Sequence, residues 1–392
     1  MRHRLLLLAL LLLWAVPGLP ESSDKWQTSL DLRYRLERVD DDRFSPHAAA
    51  STLRLRAGFI SPSWSGWQIA ATAQGNRHIG AQKFNSTANG RADYPVVADP
   101  DDENVAEAWV GYTRPGELFV RAGRQAISLG NQRFLGSGDP GHRQLQQTFD
   151  AVRVGLEGNA WNASLNWLNR AHRANGRSNP NRLLARADLD AWLSTFDYSP
   201  GRHTVGVYAH HIEFRDRPAS HRNLGAFVTG PLPLTDGLTY RLEYAHQKGI
   251  RESRSPSGQS HVSIRVQQQL DGWHWLAGHE RLGGNGRRAF QTPLATLHAF
   301  NGWGDQFATT PDDGLLDTYL AAGSRINRWR ALARVHDFRS DRGSYRYGRE
   351  LDLMLGRGLS DNLDMEIKAA FFDGAGTRAS VSKIWLALVA SW

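Results

Sequence analysis

The sequence predicts an all-β protein, an antiparallel up-and-down transmembrane β-barrel of about 18 strands. Strand-like segments with strict alternation of apolar and polar residues recur along nearly the whole chain. The chain also starts with an export signal and ends on an apolar strand with a terminal aromatic residue, Trp392. Together these three features favour a barrel of the outer membrane of a Gram-negative bacterium over a soluble sheet.

The N-terminal segment has the pattern of a secretory signal peptide. Arg2 and Arg4 precede an apolar run over residues 5–16, and Pro17 and Gly18 follow it. The run is shorter than the roughly 20 residues that a membrane-spanning helix needs. We expect residues 1–20 to be the signal peptide, with an open cleavage position, and residues 26–392 to form the barrel.

The first predicted strand, residues 29–39 (SLDLRYRLERV), shows the repeating pattern clearly. Its leucines and its tyrosine fall on one face and its charged residues fall on the other, as expected for a wall between lipid and a water-filled lumen. Further strands are predicted at residues 51–61, 67–76, 105–112, 118–129, 148–156, 161–169, 192–198, 203–214, 223–229, 238–247, 261–270, 273–282, 315–324, 329–338, 350–356, 363–373 and 381–392.

Short turns alternate with longer polar connections along the chain, as in outer-membrane barrels with short periplasmic turns. Residues 78–104 are predicted to be one long loop. Trp residues beside the turns predict an aromatic girdle at both membrane interfaces: Trp67, Trp161, Trp273, Trp329 and Trp392. The alternation that ends at Trp392 resembles the signal by which the barrel-assembly machinery recognises its substrates, so that machinery is an expected partner, together with outer-membrane lipid.

The positive charge comes almost entirely from arginine. Only five of the 47 basic residues are lysines, and the formal net charge is +8. Arginine suits carboxylate and phosphate ligands, but nucleic acid is an unexpected partner for an exported protein. There is no cysteine, which excludes disulfides, thiol nucleophiles and cysteine-based metal sites.

Lumen-facing charges are the candidate functional residues. A charge facing lipid at mid-bilayer costs roughly 2–4 kcal/mol, so charged strand residues should face the lumen, where arginines favour anions. The predicted pore-lining and substrate-binding residues are Arg33, Arg35, Arg54, Arg56, Arg121, Arg124, Arg153, Arg241, Arg265, Arg330, Arg334, Glu350, Asp352 and Lys368. Mutual Arg–carboxylate bridges that only stiffen the wall are the open alternative.

The sequence leaves two placements in this region open. Arg121 and Arg124 cannot both face inward on a regular strand, although a bulge would allow it. Arg133 and Arg143 follow in a connection that either folds into the pore or stays on the surface.

Three stretches resemble the alginate-export family of outer-membrane channels: residues 119–134 (FVRAGRQAISLGNQRF) with 85–100, residues 290–307 (FQTPLATLHAFNGWGDQF) with 279–284, and residues 336–353 (HDFRSDRGSYRYGRELDL). The resemblance implies an 18-stranded barrel whose arginine-lined pore passes polyuronate. The chain is short for an alginate exporter. Its loops at 215–221 and 374–380 are small, which predicts little material for obstructing the pore.

The predicted function is a passive, anion-preferring outer-membrane channel for an acidic polysaccharide or small anions, with no cofactor. A general or small-solute porin on the same scaffold is the first alternative. An outer-membrane enzyme or a closed polysaccharide-binding barrel is the second, but no catalytic set stands out. The acidic runs at 40–42 and 99–103 lack a calcium-binding pattern.

Overall fold

The protein folds as one closed antiparallel sheet. The computed structural model describes residues 24–138, 143–251, 257–270 and 272–392, so the predicted signal peptide lies outside the described residues. Each of the 18 strands pairs with its neighbours in sequence, and β1 also pairs with β18, which closes the barrel. Within this part of the chain, no helix has the length and apolar character needed to cross a membrane.

The strands follow the chain order without a crossover. Their bounds are β1 Gln27–Asp41, β2 Ala48–Ile60, β3 Trp67–Lys83, β4 Asp102–Arg114, β5 Leu118–Gln125, β6 Thr148–Glu157, β7 Trp161–His172, β8 Arg186–Tyr198, β9 Thr204–Phe214, β10 His221–Pro231, β11 Leu238–Gly249, β12 Ser257–Leu270, β13 Trp273–Leu282, β14 Leu315–Ile326, β15 Trp329–Arg339, β16 Arg346–Gly358, β17 Leu363–Gly374 and β18 Val381–Ser391. The described helices are two short ones, Arg182–Ala185 and Leu297–Ala299.

All 18 predicted strands are present, and the differences lie at their ends. The predicted loop 78–104 was too long, because β3 continues to Lys83 and β4 begins at Asp102. The extension keeps pairing with β2 after a register shift near Thr52, so Ala50 still lies opposite Gln82. β5 ends at Gln125 instead of residue 129, since the chain then turns inward.

The two ends of the barrel differ in their connections. At one end, here called the turn end, the strands are joined by short turns, and the start of β1 meets Trp392, whose amide donates to the Leu30 carbonyl. Longer connections lie at the other end, here called the loop end. The five girdle tryptophans are exposed, with fractions from 36% to 58%, and all five lie at the turn end. The predicted girdle is therefore found at one rim and not at both.

Two connections at the loop end fold into the barrel. The first inward loop (residues 126–138 and 143–147) buries Ile127 and Leu135 against the inward face of β6–β8. The second inward loop (residues 283–314) contributes Phe290 and Phe307 to an aromatic cluster with wall residues such as Phe338. The interior of the barrel therefore contains a packed apolar core made by the wall and these two loops.

Candidate functional site: the charged lumen

The inward face of the barrel wall carries the charged residues of the strands. In β1, Arg33 and Arg35 are buried inside the barrel, whereas the neighbouring Leu30 and Leu36 are 39% and 37% exposed on the outside. The same alternation holds in β2, β11, β12 and β16. The period of two thus places these predicted charges on the lumen side, where water can solvate them.

Thirteen of the fourteen predicted residues lie on this lumen side, and Arg124 does not. The ladder between β5 and β6 is regular, with Arg121 opposite Arg153 and Arg124 opposite Asp150. Residues three apart on a regular strand point to opposite faces. Arg124 therefore lies on the outer face, where its Nε is 2.8 Å from Asp150 Oδ1, and the bulge that would turn it inward is absent from this ladder.

On the lumen side of the barrel, arginines lie directly opposite each other at four places on neighbouring strands. The cross-strand pairs are Arg33 with Arg54, Arg121 with Arg153, Arg241 with Arg265, and Arg325 with Arg330. Directly opposed like charges destabilise a sheet. These four pairs form bands of positive charge on the inner wall of the barrel. Their mutual repulsion opposes folding, so the stability of the fold does not explain them.

Some of the lumen arginines are bound to carboxylates. Arg35 contacts Glu37 at 2.8 Å and also Asp99, and all three side chains are almost fully buried. Further pairs join Arg54 to Asp31 at 2.5 Å, Arg241 to Glu243 at 2.8 Å and Arg330 to Asp364 at 3.2 Å. These arginines brace the wall, as the alternative interpretation of the sequence expects for part of the set.

Other lumen arginines have no carboxylate within ion-pair distance among the described residues: Arg56, Arg121, Arg153, Arg265 and Arg334. Neutral partners hold two of them instead. The Arg121 guanidinium lies 3.8 Å from the centre of the Trp109 ring, and Arg153 Nε donates to Asn166 Oδ1 at 2.9 Å. Their charge is therefore available to an incoming anion.

The first inward loop is bound to the wall by an ion pair. Arg133 is 2% exposed; its Nε lies 2.8 Å from Glu280 Oε1, and its Nη2 donates to Asn301 Oδ1 at 2.8 Å. Arg143 lies near the second inward loop, 3.5 Å from Asp305. Both arginines thus face the interior, the first of the two placements that the sequence left open.

The predicted carboxylates Glu350 and Asp352 hold the tip of the second inward loop. Glu350 Oε1 accepts a hydrogen bond from the Gly304 amide at 2.6 Å, and Asp352 Oδ1 accepts one from the Trp303 amide at 3.4 Å. A Cβ on Gly302 would lie 2.6 Å from the Glu350 carboxylate, so the close approach needs glycine. These two carboxylates anchor a loop inside the lumen.

Lys368 lies under the same loop tip. Its Nζ is 4.0 Å from the centre of the Trp303 ring and 3.0 Å from His298 Nε2. Burial, reinforced by the charge of Lys368, lowers the pKa of His298 to about 4, whereas Asp305 opposes this shift. His298 is therefore neutral at physiological pH.

Two cavities lie between the inward loops and the turn end. The first, of about 200 Å³, is bordered by Arg153, Arg241, Tyr208 and Asp197. The second, of about 330 Å³, is bordered by five basic side chains: Arg265, Arg325, Arg330, Arg334 and Lys368. Asn131 of the first inward loop borders both cavities. The inward loops thus narrow the lumen and divide it.

Sequence reasoning did not identify the loop residues that shape this interior, above all Trp303, Asn301 and His298. Their only signal was the run HAFNGWGDQF (residues 298–307), in which glycine and aromatic residues are interspersed inside a long connection. In the described ranges, no group of three or more His, Asp or Glu side chains is placed to hold a metal ion.

The model of one protein family, described as alginate export, matches residues 25–285. The fold is similar to OccAB4 of Acinetobacter baumannii (TM-score 0.75, 10% identity, 95% of this chain and 100% of that chain). It is also similar to OccK3 of Pseudomonas aeruginosa (TM-score 0.70, 16%, 96% and 98%) and to OpdK of the same organism solved with vanillate (0.72, 13%, 93% and 99%). No curated protein matches the sequence.

Proposed function

The chain belongs to the alginate export family, and from this premise we propose that it is a passive, anion-preferring channel of the outer membrane. The family and the folds it resembles are those of outer-membrane channels, not enzymes. The observation that carries the proposal is the set of lumen arginines without a carboxylate partner, Arg56, Arg121, Arg153, Arg265 and Arg334. In the narrowed interior these cations concentrate anions and repel cations.

Small anions fit the arrangement best. The cavities of about 200 and 330 Å³ are bordered by the wall and the inward loops, and a polymer would have to cross the part of the lumen that these loops occupy. We therefore place the small-anion channel first. The co-crystallised vanillate of OpdK is a small carboxylate, which agrees with this order but comes from a protein only 13% identical to this one.

Passage of an acidic polysaccharide is the second candidate, and family membership supports it. It requires the inward loops to withdraw from the lumen. Both candidates use the same arginines, since a polyuronate presents carboxylates to guanidinium groups. Recognition of the terminal strand by the assembly machinery remains a proposal on the grounds given above.

Reversal potentials in planar bilayers under a KCl gradient test the proposal. The wild-type protein should prefer Cl⁻, and replacement of Arg121, Arg153, Arg265 and Arg334 by Gln should remove most of that preference. The matched control is Arg357→Gln, which removes an exposed arginine beside Trp329 on the outer face. A wild-type channel without ion preference, or a quadruple variant that keeps it, would contradict anion selectivity.

Oligouronate added to the same bilayers separates the two candidates. A small-anion channel should show brief partial block by a monomeric uronate and no transport of longer oligomers into protein-containing liposomes. Transport of the long oligomers by the wild-type protein would favour the polysaccharide. Neutral oligosaccharide of the same length is the control for simple size exclusion.

A further inference from the structure

Two clusters of arginines face outward at the loop end, outside the lumen. In the first, Asp337 accepts contacts from Arg339 at 2.6 Å, Arg346 at 2.8 Å and Arg349 at 3.2 Å. In the second, Asp188 contacts Arg170 at 2.7 Å, Arg186 at 3.6 Å and also Arg182. Each cluster thus collects three guanidinium groups around one carboxylate.

Both clusters occupy the same position relative to the membrane. Asp337 lies two residues from the loop end of β15, and Asp188 lies two residues from the loop end of β8. Toward the turn end, the outer face beside the first cluster is apolar and exposed at Val335 and Leu351. Beside the second cluster, the exposed Trp192 follows Asp190, which accepts a hydrogen bond from Trp167 Nε1. The clusters therefore lie where the lipid-facing surface meets the headgroup level.

The central carboxylate of each cluster does not neutralise the positive charge of its arginines. One carboxylate neutralises one of three guanidinium groups, so each set of four residues has a net charge of +2 at neutral pH. The arginine side chains remain partly exposed, from 37% to 64% in the first cluster and from 32% to 58% in the second. Elsewhere on the outer face, Arg38 pairs one to one with Asp40.

We propose that the two clusters are binding sites for the phosphate groups of a phosphorylated lipid in the outer leaflet. Arginine presents parallel N–H donors that match phosphate oxygens, and the central aspartate holds the three side chains in one place before the lipid arrives. A phosphate carrying close to two negative charges balances the +2 of each cluster. The acyl chains of the same lipid would lie on the apolar face next to the cluster, which a free phosphate cannot use.

The clusters lie on well-separated strands of the closed sheet, β7–β8 and β15–β16. A single lipid headgroup cannot bridge them, so the barrel should bind two lipids independently. This expectation concerns the outer surface and does not depend on the ion preference of the lumen.

Native mass spectrometry of the refolded mature protein with bisphosphorylated lipid A tests the proposal. The wild type should retain two lipids, the Arg339→Gln/Arg346→Gln/Arg349→Gln variant one, and a variant that also replaces Arg170, Arg182 and Arg186 none. Arg38→Gln, the matched control at the loop end, should retain two. Equal lipid retention by the wild type and all variants would overturn the proposal.

Competition measurements identify the source of the phosphate. Phosphatidylcholine should not compete with lipid A, and monophosphorylated lipid A should bind more weakly. Complete displacement of lipid A by millimolar inorganic phosphate would show sites for the free anion and overturn the assignment to a lipid.

If a Gln variant fails to show the heat-modifiable mobility of a folded barrel, the corresponding Lys variants replace it, because they keep the charge but lose the planar guanidinium group. They should bind lipid A several-fold more weakly, and undiminished binding would contradict the role of the guanidinium groups.

Discussion

Arg133 of the first inward loop forms an ion pair with Glu280 of β13, with 2.8 Å between Nε and Oε1, inside the barrel. Their side chains are 2% and 6% exposed. Glu280 also binds His261 and Asn301, so this carboxylate joins the wall to both inward loops. The width of the lumen therefore depends on a few buried polar contacts.

Replacement of Arg133 by Met should widen the channel. Removal of one partner of a buried ion pair costs about 3–5 kcal/mol, and here that cost falls on the docked position of the loop. We expect a larger single-channel conductance with more frequent fluctuations than in the wild type. Arg143→Met is the control, because its 3.5 Å contact with Asp305 is longer and less buried. Equal conductance of Arg133→Met and wild type would show that the loop does not limit ion flow.

Two arginines of the lumen should respond oppositely to replacement by Met. Arg35→Met leaves Glu37 and Asp99 buried without their cation, and we expect a loss of about 3–5 kcal/mol in the free energy of unfolding. Arg265→Met removes one of two opposed like charges, so stability should change by less than about 1 kcal/mol. Urea unfolding in lipid vesicles measures both values. A larger loss for Arg265→Met than for Arg35→Met would contradict the assignment of Arg35 as the arginine that stabilises the fold and of Arg265 as the one without a carboxylate partner.

The docked position of the second inward loop should weaken in acid. Burial and Lys368 lower the pKa of His298 to about 4 from its ordinary value of 6.5. A released loop would bind a proton near pH 6.5, whereas the docked loop would not, so docking loses stability as the pH falls from 6.5 toward 4. Asp305 and Lys383 also face this group, and Asp305 contacts both His298 and Lys383 at 3.0 Å.

Conductance measured over this pH range tests the expectation. The wild type should open progressively as the pH falls below 6.5, and His298→Gln should show a flatter profile. An identical profile for the variant would assign the pH response to other groups, since Gln cannot titrate.

Gly302→Ala should displace the tip of the second inward loop. Gly302 has φ +83°, and an added Cβ would lie 2.6 Å from the Glu350 carboxylate. Gly90 has a similar φ of +71° but nothing within 4 Å of an added Cβ, so Gly90→Ala reproduces the backbone strain of about 1–3 kcal/mol without the clash. Limited proteolysis should cut residues 283–314 faster in Gly302→Ala only. Equal cleavage of the two variants would show that backbone strain, and not contact with Glu350, is the cause.

The strands of the barrel wall were predictable because the alternation of apolar and polar residues is a local pattern in the sequence. Alternation along β1 is enough to separate Arg33 and Arg35 from Leu30 and Leu36, and the same rule separates the two faces of β2, β11, β12 and β16. Strand ends were less certain, since pairing with a neighbour extends β3 through residues that show no alternation. Arg124 was misplaced because the proposed bulge in β5 is absent.

The interior was not predictable, because its contacts join distant parts of the chain. Arg133 and Glu280 are 147 positions apart, and no periodic pattern relates them. The small loops at 215–221 and 374–380 suggested little obstruction, but the obstruction comes from the first inward loop (residues 126–138 and 143–147) and the second (residues 283–314). The position of a loop inside a barrel depends on how its aromatic side chains pack against the wall. The alternation of residues along a strand does not encode that packing.

The seam between β1 and β18 determines when the protein can finish folding. Ser391 Oγ donates to Asp31 Oδ2 at 3.2 Å, across 360 positions of the chain. Such a contact forms only after almost the entire polypeptide has been exported, and until then both edge strands expose unpaired backbone groups that can pair with other chains. The protein therefore depends on protection of two open edges during its passage through the periplasm. Loss of the last strand would leave that state permanent, so a chain truncated before Val381 should aggregate or be degraded.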